Sequence, residues 1–183
     1  CAKGKGGWEE CSSSRKALSY CRQHLYRRNR RDSGAQVWTY LPFIKDDAAL
    51  RSLIGGVIKR QFRCIIIDPY ANAFYKEADK VGEWASDHTD MRPGVHERKW
   101  EIDSHCYPIR LAYEYWKISG DASIFGEEWL QSIQLTLKTF REQQRKEGVG
   151  PYTFKRKTDR AFDTVGNNGL GAPVKPVGLI VST

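Results

Sequence analysis

The sequence lacks any long apolar run. Its longest uninterrupted apolar stretch is Cys64 to Ile67, far short of the roughly 20 residues that a membrane-spanning helix needs. No membrane span is expected, and the opening residues hold no apolar segment of the kind a signal peptide carries. Cysteines are few and badly spaced for metal. Five are present with no C-x₂-C pair, which argues against a zinc site. Cys64 and Cys106 lie in apolar surroundings and read as core thiols. His88, His96 and His105 lack the HExxH spacing of a zincin. A looser set of Asp87, His88 and Asp90 reads as solvated loop. Gly166-Asn167-Asn168-Gly169-Leu170-Gly171 has neither a strand before it nor Lys-Ser/Thr after it, so it reads as a shaped loop, not a phosphate cradle. A G-x-S-x-G elbow is also missing. Neither a metal nor a cofactor is expected.

Charge is present in excess, but it is local. Residues 1–31 carry nine Lys or Arg against Glu9 and Glu10, while the remainder is close to neutral, within an overall net charge of +8. An arm such as Tyr26-Arg27-Arg28-Asn29-Arg30-Arg31 could grip phosphates. The plainer reading is a disordered or non-native arm over residues 1–30, and nucleic acid is not expected as a partner.

What the chain does have is helical periodicity. Leu50, Leu53, Ile54, Val57, Ile58 and Phe62 recur at helical spacing after a capping Asp46 or Asp47. Gly55-Gly56 inside that run costs about 1 kcal/mol per residue relative to Ala and points to close helix packing. A shorter helix is expected over 33–43, with Val37, Tyr40 and Leu41 on one side. Two more are expected over 104–119 (Leu111, Tyr115, Ile118) and 127–146 (Trp129, Ile133, Leu137, Phe140). Gly120 stops the former. Residues 68–101 form a long connection, which in a compact domain is usually functional. Tyr152-Thr153-Phe154-Lys155 could be a short strand. Helices joined by elaborate loops predict an all-α architecture.

The remaining chemistry is carboxylates beside aromatics in loops: Asp32, Asp68 with Tyr70 and Asn72, and Glu101 with Asp103, flanked by Trp100 and Tyr107. Acids, amides and Arg bind hydroxyls through directional hydrogen bonds, aromatic rings cover apolar sugar faces, and two carboxylates can act as acid and base. The alternative is that Asp32, Asp68 and Asp103 cap helices or pair with Arg31, Arg98 and Lys99.

Several motifs taken together are recognisable. Arg31-Asp32-Ser33, Tyr40-Leu41-Pro42, Asp68-Pro69-Tyr70-Ala71-Asn72-Ala73-Phe74 and Arg98-Lys99-Trp100-Glu101-Ile102-Asp103-Ser104-His105-Cys106-Tyr107-Pro108 resemble glycoside hydrolase family 125. Tyr152-Thr153-Phe154, Gly169 to Val174 and Gly178-Leu179-Ile180 continue the likeness in the same order. The family includes fungal meiotically up-regulated proteins and bacterial exo-α-1,6-mannosidases. The resemblance implies a partial (α/α)₆ toroid of the six-hairpin glycosidase kind. It also implies metal-independent, inverting removal of terminal α-1,6-linked mannose by a monomer, with an α-mannoside glycan as partner. It favours a secretory or extracellular location. It makes Arg31, Asp32, Asp68, Tyr70, Asn72, Glu101 and Asp103 substrate-binding residues, with Asp103 the in-chain candidate for a catalytic acid. The chain departs from the family at both ends. Residues 20–30 do not match the Gly-Asp-Ile-Pro-Ala-Met-Trp-Leu stretch, and the later Phe-Arg-Pro-Ser-Asp-Asp segment is missing. Residues 31–183 are therefore expected to be the N-terminal part of a truncated glycosidase domain, with acid and base beyond Thr183. The alternatives are a non-catalytic glycan-binding remnant, or nucleic-acid binding through the arm.

Overall fold

The computed structural model describes residues 30–146, 150–156, 158–159 and 178–180. Of the poorly packed arm expected over residues 1–30 only Arg30 falls within them, and it is buried at the start of a helix; the rest of the arm, the 166–171 loop and the 169–174 motif lie outside them. Four helices carry the described part: α1 (Arg30–Trp38), α2 (Ala48–Ile67), α3 (Asp103–Ser119) and α4 (Glu127–Gln143). A 3₁₀ turn, Leu41–Phe43, follows α1, and two short strands, β1 (Ala73–Phe74) and β2 (Val95–Glu97), lie between α2 and α3. The strands pair antiparallel, Ala73 with Glu97 and Phe74 with Val95, through an irregular register. Among the described residues there is no other sheet, so the architecture is helical as expected. α1 packs on α3, and α2 packs on both α3 and α4.

The sequence determines these elements locally. Asp47 caps α2, its Oδ1 accepting from the Leu50 N–H at 2.9 Å, which satisfies one of the unpaired donors of the first turn. Gly120 ends α3 in the left-handed conformation with φ 71°, where a side chain would be strained. The expected helix over 33–43 is instead α1, beginning at Arg30, followed by the separate 3₁₀ turn with Pro42 near its start. That break turns Tyr40 out to solvent, while Val37 and Leu41 stay buried.

One core joins Val37 and Ile44 to Ile54, Ile58 and Phe62 of α2 and to Leu111 and Tyr115 of α3. A second, aromatic cluster joins Tyr70, Trp100, Tyr152 and Phe154. The Tyr70 and Tyr152 rings stack at 4.8 Å, and Trp100 stands edge-on to Tyr70 at 5.8 Å. Residues 152–155 do not form the expected strand. The Tyr152 Oη instead donates to the Arg98 carbonyl at 3.2 Å and accepts from the Trp100 N–H at 2.8 Å.

Helix α4 departs most from its periodicity. Leu137 of the expected apolar stripe is half exposed, and the buried positions are Ser132, Thr136, Thr139 and Gln143. Hydroxyls can be buried here because each bonds back within the helix: Ser132 Oγ to the Trp129 carbonyl and Thr139 Oγ1 to the Leu135 carbonyl, both 2.8 Å. Thr136 meets His105 of α3, Nδ1 to Oγ1 at 2.8 Å, while His105 Nε2 lies 2.6 Å from the Pro69 carbonyl. A carbonyl only accepts, so Nε2 carries the proton, and the Thr136 hydroxyl beside Nδ1 has its one proton shared between that nitrogen and the Ser132 carbonyl at 2.9 Å. Cys106, expected in the core, is exposed, because the buried face of α3 runs through Ser104, His105, Pro108, Leu111, Ala112 and Tyr115.

Two outcomes follow from this packing. A Cβ on Gly55 would sit 3.3 Å from Tyr115 Oη, whereas one on Gly56 would meet nothing within 4 Å. Gly56→Ala should therefore stabilise the chain by roughly 0.5–1 kcal/mol, and Gly55→Ala should not, as read from urea midpoints. Burial, helped by the nearby Arg30 charge, holds His105 down to about 3 from its ordinary 6.5. The neutral ring is the folded form, so its contribution is complete above pH 6.5 and is lost as pH falls toward 3. His105→Asn should flatten that part of the stability–pH profile.

Candidate functional site

Two helix starts and one loop meet at a cluster of charges. Arg31, in the first turn of α1, places Nε 3.1 Å from Asp32 Oδ1 and Nη1 3.2 Å from Asp103 Oδ2. Asp103 opens α3, and 72 residues separate it from Arg31. The two carboxylates raise the Arg31 pKa above its ordinary value, through hydrogen bonds first to Asp32 and then to Asp103. All three side chains keep about a third or more of their surface exposed.

Asn72 joins this group through its backbone and its amide. Its carbonyl accepts from the Arg30 N–H at 3.0 Å, and its N–H donates to the Glu97 carbonyl at 3.1 Å. Its Nδ2 donates to Glu97 Oε2 at 2.6 Å and to Glu101 Oε2 at 3.3 Å. Lys99 Nζ lies 3.5 Å from Glu101 Oε1. Arg31, Asp32, Asn72, Glu101 and Asp103 are thus brought to one region.

Asp68 and Tyr70 are placed differently. Asp68 ends α2 and is 2% exposed. Its Oδ1 accepts from the Tyr70 N–H at 2.9 Å and its Oδ2 from Arg98 Nε at 2.7 Å. Tyr70 belongs to the aromatic cluster. Its Oη donates to Glu142 Oε2 at 2.6 Å, and burial followed by that carboxylate pushes the phenol pKa well up. Trp100, which precedes Glu101, is also core, at 1% exposure. Of the aromatics expected to cover sugar faces, Trp100 is here occupied with Tyr70 and the rest of the cluster.

Three residues that motif reading passed over complete the region. Arg156 Nε donates to Asp87 Oδ1 at 2.8 Å and Arg156 Nη1 to Glu97 Oε1 at 2.6 Å. The same guanidinium lies 3.8 Å from the centre of the Trp84 ring. The signal in the sequence was slight: Glu97 stands beside the Arg98-to-Pro108 motif, but nothing in spacing links it to position 87 or 156. Asp87 and Asp90, weighed above as metal ligands with His88, are paired with Arg156 and Arg92 respectively. Among the described residues no three His, Cys, Asp or Glu side chains form a metal-binding group.

Chemically, this is a set of acceptors fixed by guanidinium and amide donors, suited to hydroxyl-rich ligands. A cavity of about 580 Å³ elsewhere, along α2, is lined by Arg30, Lys59, Arg60 and Arg63 but by none of these carboxylates.

Comparison with known proteins gives this geometry a context. Residues 28–183 match the family described as metal-independent alpha-mannosidase (GH125). The chain is 35% identical over 159 residues to the meiotically up-regulated gene 157 protein of Schizosaccharomyces pombe (strain 972 / ATCC 24843), covering 79% of this chain and 31% of that relative. It also resembles a solved Streptococcus pneumoniae structure from a family of metal-independent alpha mannosidases, in a non-productive complex with alpha-1,6-mannobiose. There the TM-score is 0.77 at 40% identity, over 86% of this chain and 37% of that one. The chain therefore spans about a third of the length of the relatives it matches, and its helices form part of a six-hairpin glycosidase fold.

The two kinds of carboxylate should separate on mutation. Asp68→Ala leaves Arg98 buried without its partner and should cost about 3–5 kcal/mol. Asp32→Asn, at an exposed pair, should cost less than about 1 kcal/mol. Guanidinium unfolding curves of both variants check this.

Proposed function

This chain belongs to the metal-independent alpha-mannosidase family GH125, and from that premise we propose that it forms the substrate-holding part of an exo-acting glycoside hydrolase. The reaction proposed is inverting removal of a terminal α-1,6-linked mannose. The observation that carries this reading is Arg31 tying Asp32 to Asp103, with Asn72 and Glu101 alongside. Such a group can hold several hydroxyls of one sugar ring at once, each through a charge-assisted bond.

In an inverting hydrolase one carboxylic acid protonates the departing oxygen and a second carboxylate activates water from the opposite face, with roughly 6.5–9.5 Å between them. Asp103 Oδ2 is engaged by Arg31, an arrangement that suits binding better than proton donation. We assign Asp103 to the substrate and place the acid and base on a longer protein that contains these residues. Asp68 and Tyr70 support the site from beneath, through Arg98 and the aromatic cluster.

The expected outcome is that the 183-residue chain alone does not turn over α-1,6-mannobiose. Each missing acid or base removes about 10²–10⁴-fold in rate. The longer product should release mannose whose first-formed anomer is β, because inversion is a single displacement. Following the anomeric protons by NMR with both proteins checks this. Turnover by the short chain would return Asp103 to the role of acid, and an α-anomer from the longer one would mean retention.

A further inference from the structure

Glu97 lies outside the set of residues given a role above, yet its carboxylate is held from two sides. Arg156 Nη1 is 2.6 Å from Oε1, and Asn72 Nδ2 is 2.6 Å from Oε2. Arg156 is fixed in turn by the buried Asp87, whose two oxygens take Nε and Nη2 of the same guanidinium, a bidentate geometry that sets its plane. The Asn72 amide that meets Glu97 also reaches Glu101 Oε2 at 3.3 Å. Carboxylates only accept, so with two of them on one side Asn72 must turn its Nδ2 toward both.

We propose that Glu97, held by Arg156 and Asp87, is a positioning residue that fixes the Asn72 amide so that it holds the Glu101 carboxylate ready for the mannoside. This rests on the reading of Glu101 as a substrate-binding residue. The hydrogen-bond chain runs from Asp87 through Arg156, Glu97 and Asn72 to Glu101, and each link fixes the polarity of the next.

The polarity makes the idea testable with an isosteric change. In Glu97→Gln the oxygen of the new amide stays with Arg156, which can only donate, so its NH₂ faces Asn72 Nδ2. Two donors then meet, and Asn72 turns its amide over. Its oxygen now faces Glu101, and the carboxylate is displaced. Glu101→Gln abolishes that conflict, because its own NH₂ can donate to the turned amide.

The test measures KM and kcat on α-1,6-mannobiose in the longer protein for the wild type, Glu97→Gln, Glu101→Gln and the double variant, with thermal midpoints alongside. Glu97→Gln should raise KM roughly tenfold, the loss of one hydrogen bond to a charged group, with a smaller change in kcat. In the Glu101→Gln background the same change should matter by less than about twofold, the signature of coupled residues. Equal effects in both backgrounds, or an unchanged KM, overturn the proposal while the mannosidase reading stands. Should Glu97→Gln fail to fold, Arg156→Lys is the second variant. Lysine cannot grip Asp87 through two nitrogens and reach Glu97 as well, so KM should rise and again be insensitive once Glu101 is replaced; an unchanged KM overturns the idea. A wild type that neither binds nor cleaves the disaccharide overturns the underlying reading and this inference with it.

Discussion

The buried ion pair between Asp68 and Arg98 is the constraint on which the rest of the structure depends. Asp68 closes α2, and Arg98 lies beside the stacked Tyr70 and Tyr152 rings, 5.4 and 5.7 Å from their centres. Neither charge could be buried alone. Together they fix where the chain goes after α2, how the aromatic cluster stacks, and where Trp100 is anchored. Glu101 and Asp103 follow Trp100 directly, so their position is set by an interaction that they do not take part in. The pair itself is dry, while the Arg31, Asp32 and Asp103 side chains stay partly exposed.

The helices were legible because their signals are local. Ile54, Ile58 and Phe62 fall on one face of α2 by simple periodicity, and Asp47 and Gly120 mark ends by their own chemistry. α4 was legible as a helix but not in its orientation. Its apolar residues suggested one face, while the structure buries Ser132, Thr136 and Thr139. A hydroxyl that can bond back to its own helix tolerates burial, and hydropathy does not register that capacity. Tyr40 and Cys106 failed for a related reason: an apolar neighbourhood in sequence is not a buried direction in space.

The candidate site was legible as a collection of motifs and not as an arrangement. Arg31 and Asp103 meet across 72 residues, and Arg156 and Asp87 across 69. No spacing rule connects such pairs, since each depends on how the helices pack. Asp68, Tyr70 and Asn72 carried the same motif signal and all three are buried, yet only Asn72 turns its side chain to Glu101. Residue type alone could not divide them.

The Arg156 contacts also bear on the order in which the molecule assembles. Asp87 and Glu97 lie on the long loop, whereas Arg156 follows both α3 and α4 in the chain. On a ribosome the loop therefore emerges well before the cation that neutralises it. Before that the loop has the β1–β2 pairing and the Asp68–Arg98 pair to close it, but not the cation that both carboxylates share. The Asp87–Arg156 contact closes over 69 residues, and docking of the helices between them shortens the free loop that it must close. The cation that Asp87 and Glu97 share is thus supplied by a residue made long after the loop itself.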